Sequence, residues 1–371
     1  MDLPLRLRIK TDDFNDGEVD DDDTATHDEI EIDSAYGGSG GQVSTTSVMS
    51  MSLLDMDTRT SLKPLTSISE QSMSFSEGRK YQHYRSGRYL LPNDQDEQDR
   101  EEVKHFMLLR LTDGGHFLSP VAVSRYQDRP AVKIIDLGTG TGTWAIEVAD
   151  RFPNAQVTGI DLSPIQPAWT PPNVEFFVDD IEDEWITGHD FSLVHARHVL
   201  PFLKDPAGLV RRSFDHLLPG GWIESQDIGH LVCCDDDTMP EEYPIAKLFH
   251  HITTAWGKLG ADLRVGPKLE GMMREAGCVN VQTRRFKIPI GTWMRKPKEK
   301  ELGVSFRMVI EGVVAALAHP IAADSRWSDG ERDVFIRRCH LALRDSSVHA
   351  YMFCYFVMGQ KPVEGRGEDG R

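Results

Sequence analysis

From Val132 onward, short apolar runs and stretches with helical spacing succeed one another along the chain. Val132, Ile134 and Ile135 form a run that ends at Asp136. Trp144, Ala145, Val148 and Ala149 then recur at helical spacing, and a second short strand, Gln156 to Ile160, closes on Asp161. Later runs predict strands at Val174–Val178, Phe191–His195 and Trp222–Ser225. A helix from Pro206 to Leu217 and a turn at Pro219-Gly220-Gly221 separate the last two. Residues 241–276 read as helices broken at Gly257 to Gly266, Val279–Ile290 as a sixth strand, 299–318 and 329–345 as helices, and His349–Met358 as a buried final strand. Strands alternating with helices predict an α/β fold with a doubly wound sheet, whose strand order the pattern leaves open. The helical insertions, about 235–276 and 295–345, predict a lid over a cleft at the sheet's edge.

Ahead of the sheet, Pro92-Asn93-Asp94 marks a turn. Val103, Phe106, Met107, Leu109 and Arg110 then predict a helix with an apolar stripe and an acidic first turn. Tyr81, Tyr84 and Tyr89 either line the cleft or staple this helix down, and packing is the favoured role. Residues 1–76 show no helical or strand period. They hold Asp20 to Asp23 in a row and then a Gly/Ser-rich stretch, too little apolar area to offset the entropy of ordering. The chain therefore divides into a disordered acidic tail over 1–76, a folded domain over 77–362 and a disordered end over 363–371.

Charge sharpens this division. Of the net −18, residues 1–75 carry −11, from sixteen acids against five bases, and the remaining 296 residues carry an ordinary −7. A chain without a basic face is not expected to bind nucleic acid. The tail instead offers an acidic surface for a protein partner. Five cysteines without metal-ligand spacing argue against a disulfide framework and for a reducing compartment. No apolar run reaches the ~18 residues of a membrane span, and the first residues, MDLPLRLRIKTDD, have neither an apolar core nor a cleavage site. These features predict a soluble intracellular protein, cytoplasmic or nuclear, without membrane contact.

The candidate chemistry lies in the turn after the first strand. A dinucleotide fingerprint needs G-x-G-x-x-G. From Gly138 the third glycine would fall on Thr143, and from Gly140 on Ala145, which leaves Gly142 superfluous. The pattern as it stands is D-x-G-x-G-x-G: Asp136, Gly138, Gly140, Gly142. Asp136 would repel a pyrophosphate but suits a ligand with an amino group and a sulfonium charge. Asp161, nineteen residues beyond Gly142, is placed to accept from two ribose hydroxyls. Asp180, after the third strand, can accept from an adenine amino group, and the backbone N–H of Ile181 can meet a ring nitrogen. This is the pattern of S-adenosyl-L-methionine (SAM). Methyl transfer from SAM is an in-line displacement that needs mainly alignment, and a base only for a hydroxyl or a protonated amine. His198, then His195, at the edge of the fourth strand are the candidate bases, and Glu224 is a weaker one; a core or surface role is the plainer expectation for both histidines.

The segments YQHYRSGRYLLPNDQDEQDR, KIIDLGTGTGTWAIEVADRFP, GIDLSPIQPAWTPPNVEFFVDDIEDEW, LLPGGWIES and HAYMFCYFVMGQKP closely resemble the fungal LaeA-like methyltransferases, class I SAM-dependent enzymes among the regulators and tailoring enzymes of secondary metabolism. The resemblance covers roughly Glu77 to Pro362. It implies the seven-stranded, Rossmann-like class I sheet and places cofactor residues on Asp136, Gly138, Gly140, Gly142, Asp161 and Asp180, with Leu162 and Ile181 acting through their backbones. It supplies no agreed catalytic base. The chain departs from the family where HVLPFLKDP replaces a Gly-Ser segment ending in Asp-Trp. It departs again at Thr139, where the regulator more often has cysteine. The expectation is an enzyme that methylates an oxygen or nitrogen of a small molecule in fungal secondary metabolism. The alternative is a nuclear regulator that binds SAM and acts through protein partners.

Overall fold

The computed structural model describes residues 63–64, 73–76, 79–82, 91–121, 132–185, 188–322 and 327–363. All lie within one compact unit, residues 59–371. In chain order the strands are β1 (Lys63–Pro64), β2 (Met73–Ser76), β3 (Arg79–Gln82), β4 (Val132–Leu137), β5 (Ala155–Asp161), β6 (Val174–Val178), β7 (Phe191–Arg197), β8 (Leu217–Ile228), β9 (Val279–Pro289) and β10 (Tyr351–Gln360). The helices are α1 (Gln95–Leu111), α2 (Thr143–Arg151), α3 (Pro206–His216), α4 (Pro244–Lys258), α5 (Leu269–Glu275), α6 (Pro297–Ala322) and α7 (Asp329–Arg344).

The main sheet runs β1-β6-β5-β4-β7-β8-β10-β9. From β6 to β8 the strands are parallel, and β10 runs antiparallel to both β8 and β9. The interior residues Ile134, Ile135, Leu193 and Val194 are fully buried, as helices on both faces of a parallel sheet require. The chain leaves β4 toward β5 and β6, then returns to pair β7 on the other side of β4. That reversal opens a crevice at the carboxyl ends of β4 and β7. The seven-stranded class I order is therefore present, with β1 added antiparallel to β6 as an eighth, two-residue edge strand.

Three differences from the sequence reading have physical causes. First, β1 and β2 fall inside the stretch expected to be without structure. Both are held by main-chain pairing, β1 to β6 and β2 to β3, which leaves no trace in side-chain composition. Residues 1–62 and 364–371, also expected to be disordered, lie outside the described residues, as do Tyr84 and Tyr89. Second, Pro219-Gly220-Gly221 is not a turn ahead of a strand but a bulged stretch inside β8, with Gly220 at φ +84° and a register shift against β7.

Third, α1 begins at Gln95 and buries a polar face. Phe106, expected in the apolar stripe, is 57% exposed, whereas Glu97, Arg100, Lys104 and His105 are buried beside Met107, Leu108 and Leu111. The helix is started by Asp94, whose carboxylate accepts from the Glu97 N–H at 3.2 Å and from the Arg79 guanidinium at 2.5 and 2.8 Å. The predicted turn at Pro92-Asn93-Asp94 is thus a helix cap tied to the β2–β3 hairpin.

Candidate active site

A cavity of about 210 Å³ opens at the crevice. Its floor is the turn after β4. Gly138, Gly140 and Gly142 all have positive φ, and each does different work. A Cβ at Gly138 would collide with the Val199 side chain, and one at Gly142 would sit 2.5 Å from Phe176 Cζ. A Cβ at Gly140 would meet no protein atom within 4 Å. Gly138 and Gly142 are therefore required by the fold, and Gly140 faces open space in the cavity.

Asp136 is buried at the tip of β4, where its carboxylate accepts from Thr139 Oγ1 at 2.6 Å and from His195 Nδ1–H at 2.7 Å. Asp161 accepts from the N–H of Gly140 at 2.9 Å and of Ser163 at 2.8 Å, so it ties the two strand tips together. Burial pushes the Asp161 carboxyl up to about 6, and nearby Asp136 and Glu101 add to the rise against the two N–H bonds. Asp180 is buried and accepts from the Glu182 N–H at 3.0 Å.

Of the eleven candidate residues, Gly138, Gly140, Asp161, Leu162, Asp180, Ile181 and His198 line this cavity. Asp136 borders a smaller adjoining cleft that also touches Gly138 and Gly140. Gly142 lines neither, because it caps α2 against Phe176. His195 lines neither as well. It has no exposed surface and stacks flat on Trp144 at 3.7 Å, so it holds Asp136 from behind the sheet edge and does not face a methyl acceptor. Trp144 itself donates to the His116 carbonyl at 2.9 Å, and Trp185 to that of Ile181 at 3.1 Å; both are packing residues. Glu224 is fully buried and accepts from the N–H groups of Leu118 and Ser119 and from the Ser119 hydroxyl, out of reach of the cavity.

His198 stands apart. It follows β7 with φ +57°, a left-handed backbone unusual for a histidine and a form of strain that gathers at working sites. Its Nδ1 accepts from the Ile228 N–H at 3.4 Å, and its buried Nε2 has no partner among the described residues. Burial, with Lys104, Arg197 and Arg100 nearby, holds the ring well below the usual histidine range, so it is neutral at pH 7.

The opposite wall, supplied by α1, carries residues that the spacing of apolar positions does not single out. Glu101 and Lys104 line the cavity and pair at 2.7 Å, and Arg100 also reaches Glu101. Burial opposes the Glu101 charge, yet Lys104 and Arg100 outweigh it and hold the carboxyl at about 2. Burial lowers Lys104 to about 8. Arg197, at the end of β7, donates to His105 Nδ1 at 2.9 Å and forms no ion pair among the described residues; His105 in turn meets Glu147 at 3.0 Å. Charged residues at 97, 100, 101 and 104 do fall on one helical face, and that spacing is the signal that could have found them.

Beyond Lys104, His198, Phe202 and Trp256, which line both spaces, lies a second chamber of about 70 Å³. Its walls include Phe249 of α4 and Phe306, Val309 and Ile310 of α6. His230, after β8, completes it.

Residues 100–283 match a methyltransferase-domain family model. The chain is 35% identical to the methyltransferase pytC of Aspergillus terreus over 309 residues, 83% of this chain and 93% of that protein. It is 29% identical to the secondary metabolism regulator LAE1 of Cochliobolus heterostrophus, covering 80% and 97%. Against the protein-methionine methyltransferase laeA of Emericella nidulans the identity is 27%, covering 82% and 81%. Among solved structures, phosphoethanolamine N-methyltransferase 2 of Haemonchus contortus in complex with SAM aligns with a TM-score of 0.42 at 19% identity, covering 76% and 62%.

Proposed function

The chain belongs to the LaeA-like class I SAM-dependent methyltransferases, and from that premise we propose that it methylates an oxygen or nitrogen of a small molecule in fungal secondary metabolism. One observation carries the choice of acceptor: the recess with Phe202, Phe249, Trp256 and Phe306 in its walls, which shares Lys104, His198, Phe202 and Trp256 with the main cavity. An acceptor presented on a partner protein would call for an open apolar patch instead.

The cavity fits SAM. Gly140 leaves room for close backbone approach, Asp161 is set for the ribose hydroxyls, and Asp180 and the Ile181 backbone for the adenine edge. Leu162 and Gly138 flank these groups through their backbones. Asp136, with His195 and Thr139 holding it, puts negative charge beside the amino and sulfonium end, and Gly142 fixes the turn. Arg197 is available to the methionine carboxylate. SAM supplies an activated methyl group; the protein supplies position and fixed charge.

Five cysteines without disulfides support an intracellular place, cytoplasmic or nuclear. Among the described residues no helix is long and apolar enough to cross a membrane. An acidic tail over 1–76 remains a place for a regulatory partner in this reading.

Purified protein given methyl-labelled SAM and a fungal extract split into small molecules and proteins is expected to label a small organic product. Label confined to the protein fraction, or SAM binding without transfer, would favour the regulator. SAM affinity is also expected to depend on Asp161. Ribose hydroxyls donate to the ionised carboxylate, so binding lowers its pKa. Affinity is then flat above about pH 6 and weakens as pH falls through that value, by up to tenfold per pH unit. Calorimetric titration from pH 5 to 8 checks this. Asp161→Asn should bind more weakly and show no such slope; an unchanged slope would remove Asp161 from the site.

A further inference from the structure

His198 and His230 leave the carboxyl ends of adjacent parallel strands, β7 and β8, and both line the aromatic chamber. Each ring has one nitrogen committed to the main chain, and the two commitments are opposite. His198 Nδ1 accepts the Ile228 N–H, so in the neutral ring the proton sits on Nε2. His230 Nδ1 meets the Leu263 carbonyl at 3.2 Å; a carbonyl can only accept, so the proton sits on Nδ1 and Nε2 keeps the lone pair. Burial holds both rings neutral, lowering His230 to about 4 and His198 well below its ordinary value. Phe202 and Phe249 contact the edges or faces of the His230 ring at 5.9 and 5.8 Å and limit its rotation. The chamber thus presents one N–H donor and one lone pair; the two cations in its wall, Arg100 and Lys104, are engaged by Glu97 and Glu101.

Resting on the small-molecule reading above, we propose that the methyl acceptor is a hydroxyl on an aromatic or similarly apolar ring, with His230 Nε2 as the base that receives the hydroxyl proton and His198 Nε2–H as the donor that orients the oxygen. A hydroxyl oxygen can give its proton to His230, accept from His198 with one lone pair and keep the other for the methyl carbon. A carboxylate has no proton to offer the His230 lone pair. A protonated amine has nothing to accept the His198 N–H, and a neutral amine would spend its single lone pair on that bond. In the step itself the acceptor oxygen bonds to the methyl carbon and the carbon–sulfur bond breaks with its electron pair left on sulfur. The hydroxyl proton passes to His230 Nε2 and from there to water. His230, absent from the sequence reading, has a catalytic role in this assignment.

The tautomers are tested without turnover. In full-length protein with ¹⁵N-labelled histidine, long-range proton–nitrogen spectra distinguish an N–H nitrogen from one with a lone pair. His198→Gln and His230→Gln assign the two rings. The expected result is Nε2–H for His198 and Nδ1–H for His230 at pH 7; either ring in the other form, or charged, overturns the proposal. The acceptor class is tested with three probes of one shape, 4-methylphenol, 4-methylbenzoic acid and 4-methylaniline, together with methyl-labelled SAM whose binding is measured in the same sample. Methyl ether alone is expected. With SAM bound, methyl transfer to the acid or the amine, or to none of the three, overturns the hydroxyl assignment; failure to bind SAM would instead sink the cofactor reading. His230→Gln should slow transfer to 4-methylphenol about 100-fold and slow transfer to the more acidic 4-nitrophenol much less. Equal slowing of both would make His230 a packing residue.

Discussion

Gly140→Val is expected to fold and to lose most of its affinity for SAM. The glycine sits at φ +58° with no protein atom near its Cβ position, and it lines the main cavity. A valine there forces a β-branched residue into the left-handed region, at about 1–2 kcal/mol, which lowers the melting temperature by a few degrees. Its methyl groups then project into space the cofactor needs. Overpacking costs ~1–3 kcal/mol even where neighbours relax, and on the proposed placement a cofactor held by Asp161 and Asp180 has little room to relax. A loss on the order of 100-fold in affinity follows. Calorimetric titration of the variant, with circular dichroism to establish folding, makes the measurement. Gly142→Val serves as the contrast: its Cβ would strike Phe176, so it should lose stability first. A folded Gly140→Val protein with normal SAM affinity would mean that the cofactor does not lie on this turn.

That contrast also marks what a sequence can carry. The run Asp136, Gly138, Gly140, Gly142 was legible as a turn at a strand tip, with a spacing that differs from a dinucleotide site's. Spacing could not say which glycine faces open space and which faces Phe176 or Val199, since that depends on strands brought together by the fold. The same limit explains His195 and His198. They lie three residues apart, but His195 sits within β7 and packs on Trp144, whereas His198 lies past its end at φ +57° and lines the cavity. Hydrophobic period located β4 to β7 closely because their interiors are dry. It misjudged α1, whose buried face carries Glu97, Arg100, Lys104 and His105, because those residues meet one another and a cavity instead of an oily core. His230 had no local signal at all; its meaning comes from Leu263, thirty-three residues later, and from Ile228 holding the opposite tautomer on His198.

Glu224→Ala should be the most destabilising single change among the candidate base residues. The carboxylate has no exposed surface. It accepts from the Leu118 N–H at 2.9 Å, the Ser119 N–H at 2.7 Å, the Ser119 hydroxyl at 2.6 Å and Gln226 Nε2–H at 2.8 Å. Those bonds anchor the segment that follows α1 to the middle of the sheet, where Phe117, Leu118 and Val121 pack against the core around Trp144. Alanine leaves four donors in a dry interior with no acceptor, and each such group costs about 1–3 kcal/mol before relaxation. The segment can move outward and recover part of this, so a net loss of roughly 3–5 kcal/mol is expected, or about 10 °C in melting temperature. Glu224→Gln keeps the shape and one acceptor oxygen but turns an NH₂ toward the same donors, and should lose about half as much. A catalytic base would behave in the opposite way: Glu224→Gln would melt like the parent and fail to transfer methyl. Thermal melts set beside turnover per folded molecule separate the two, because a clamp moves the first quantity and a base the second.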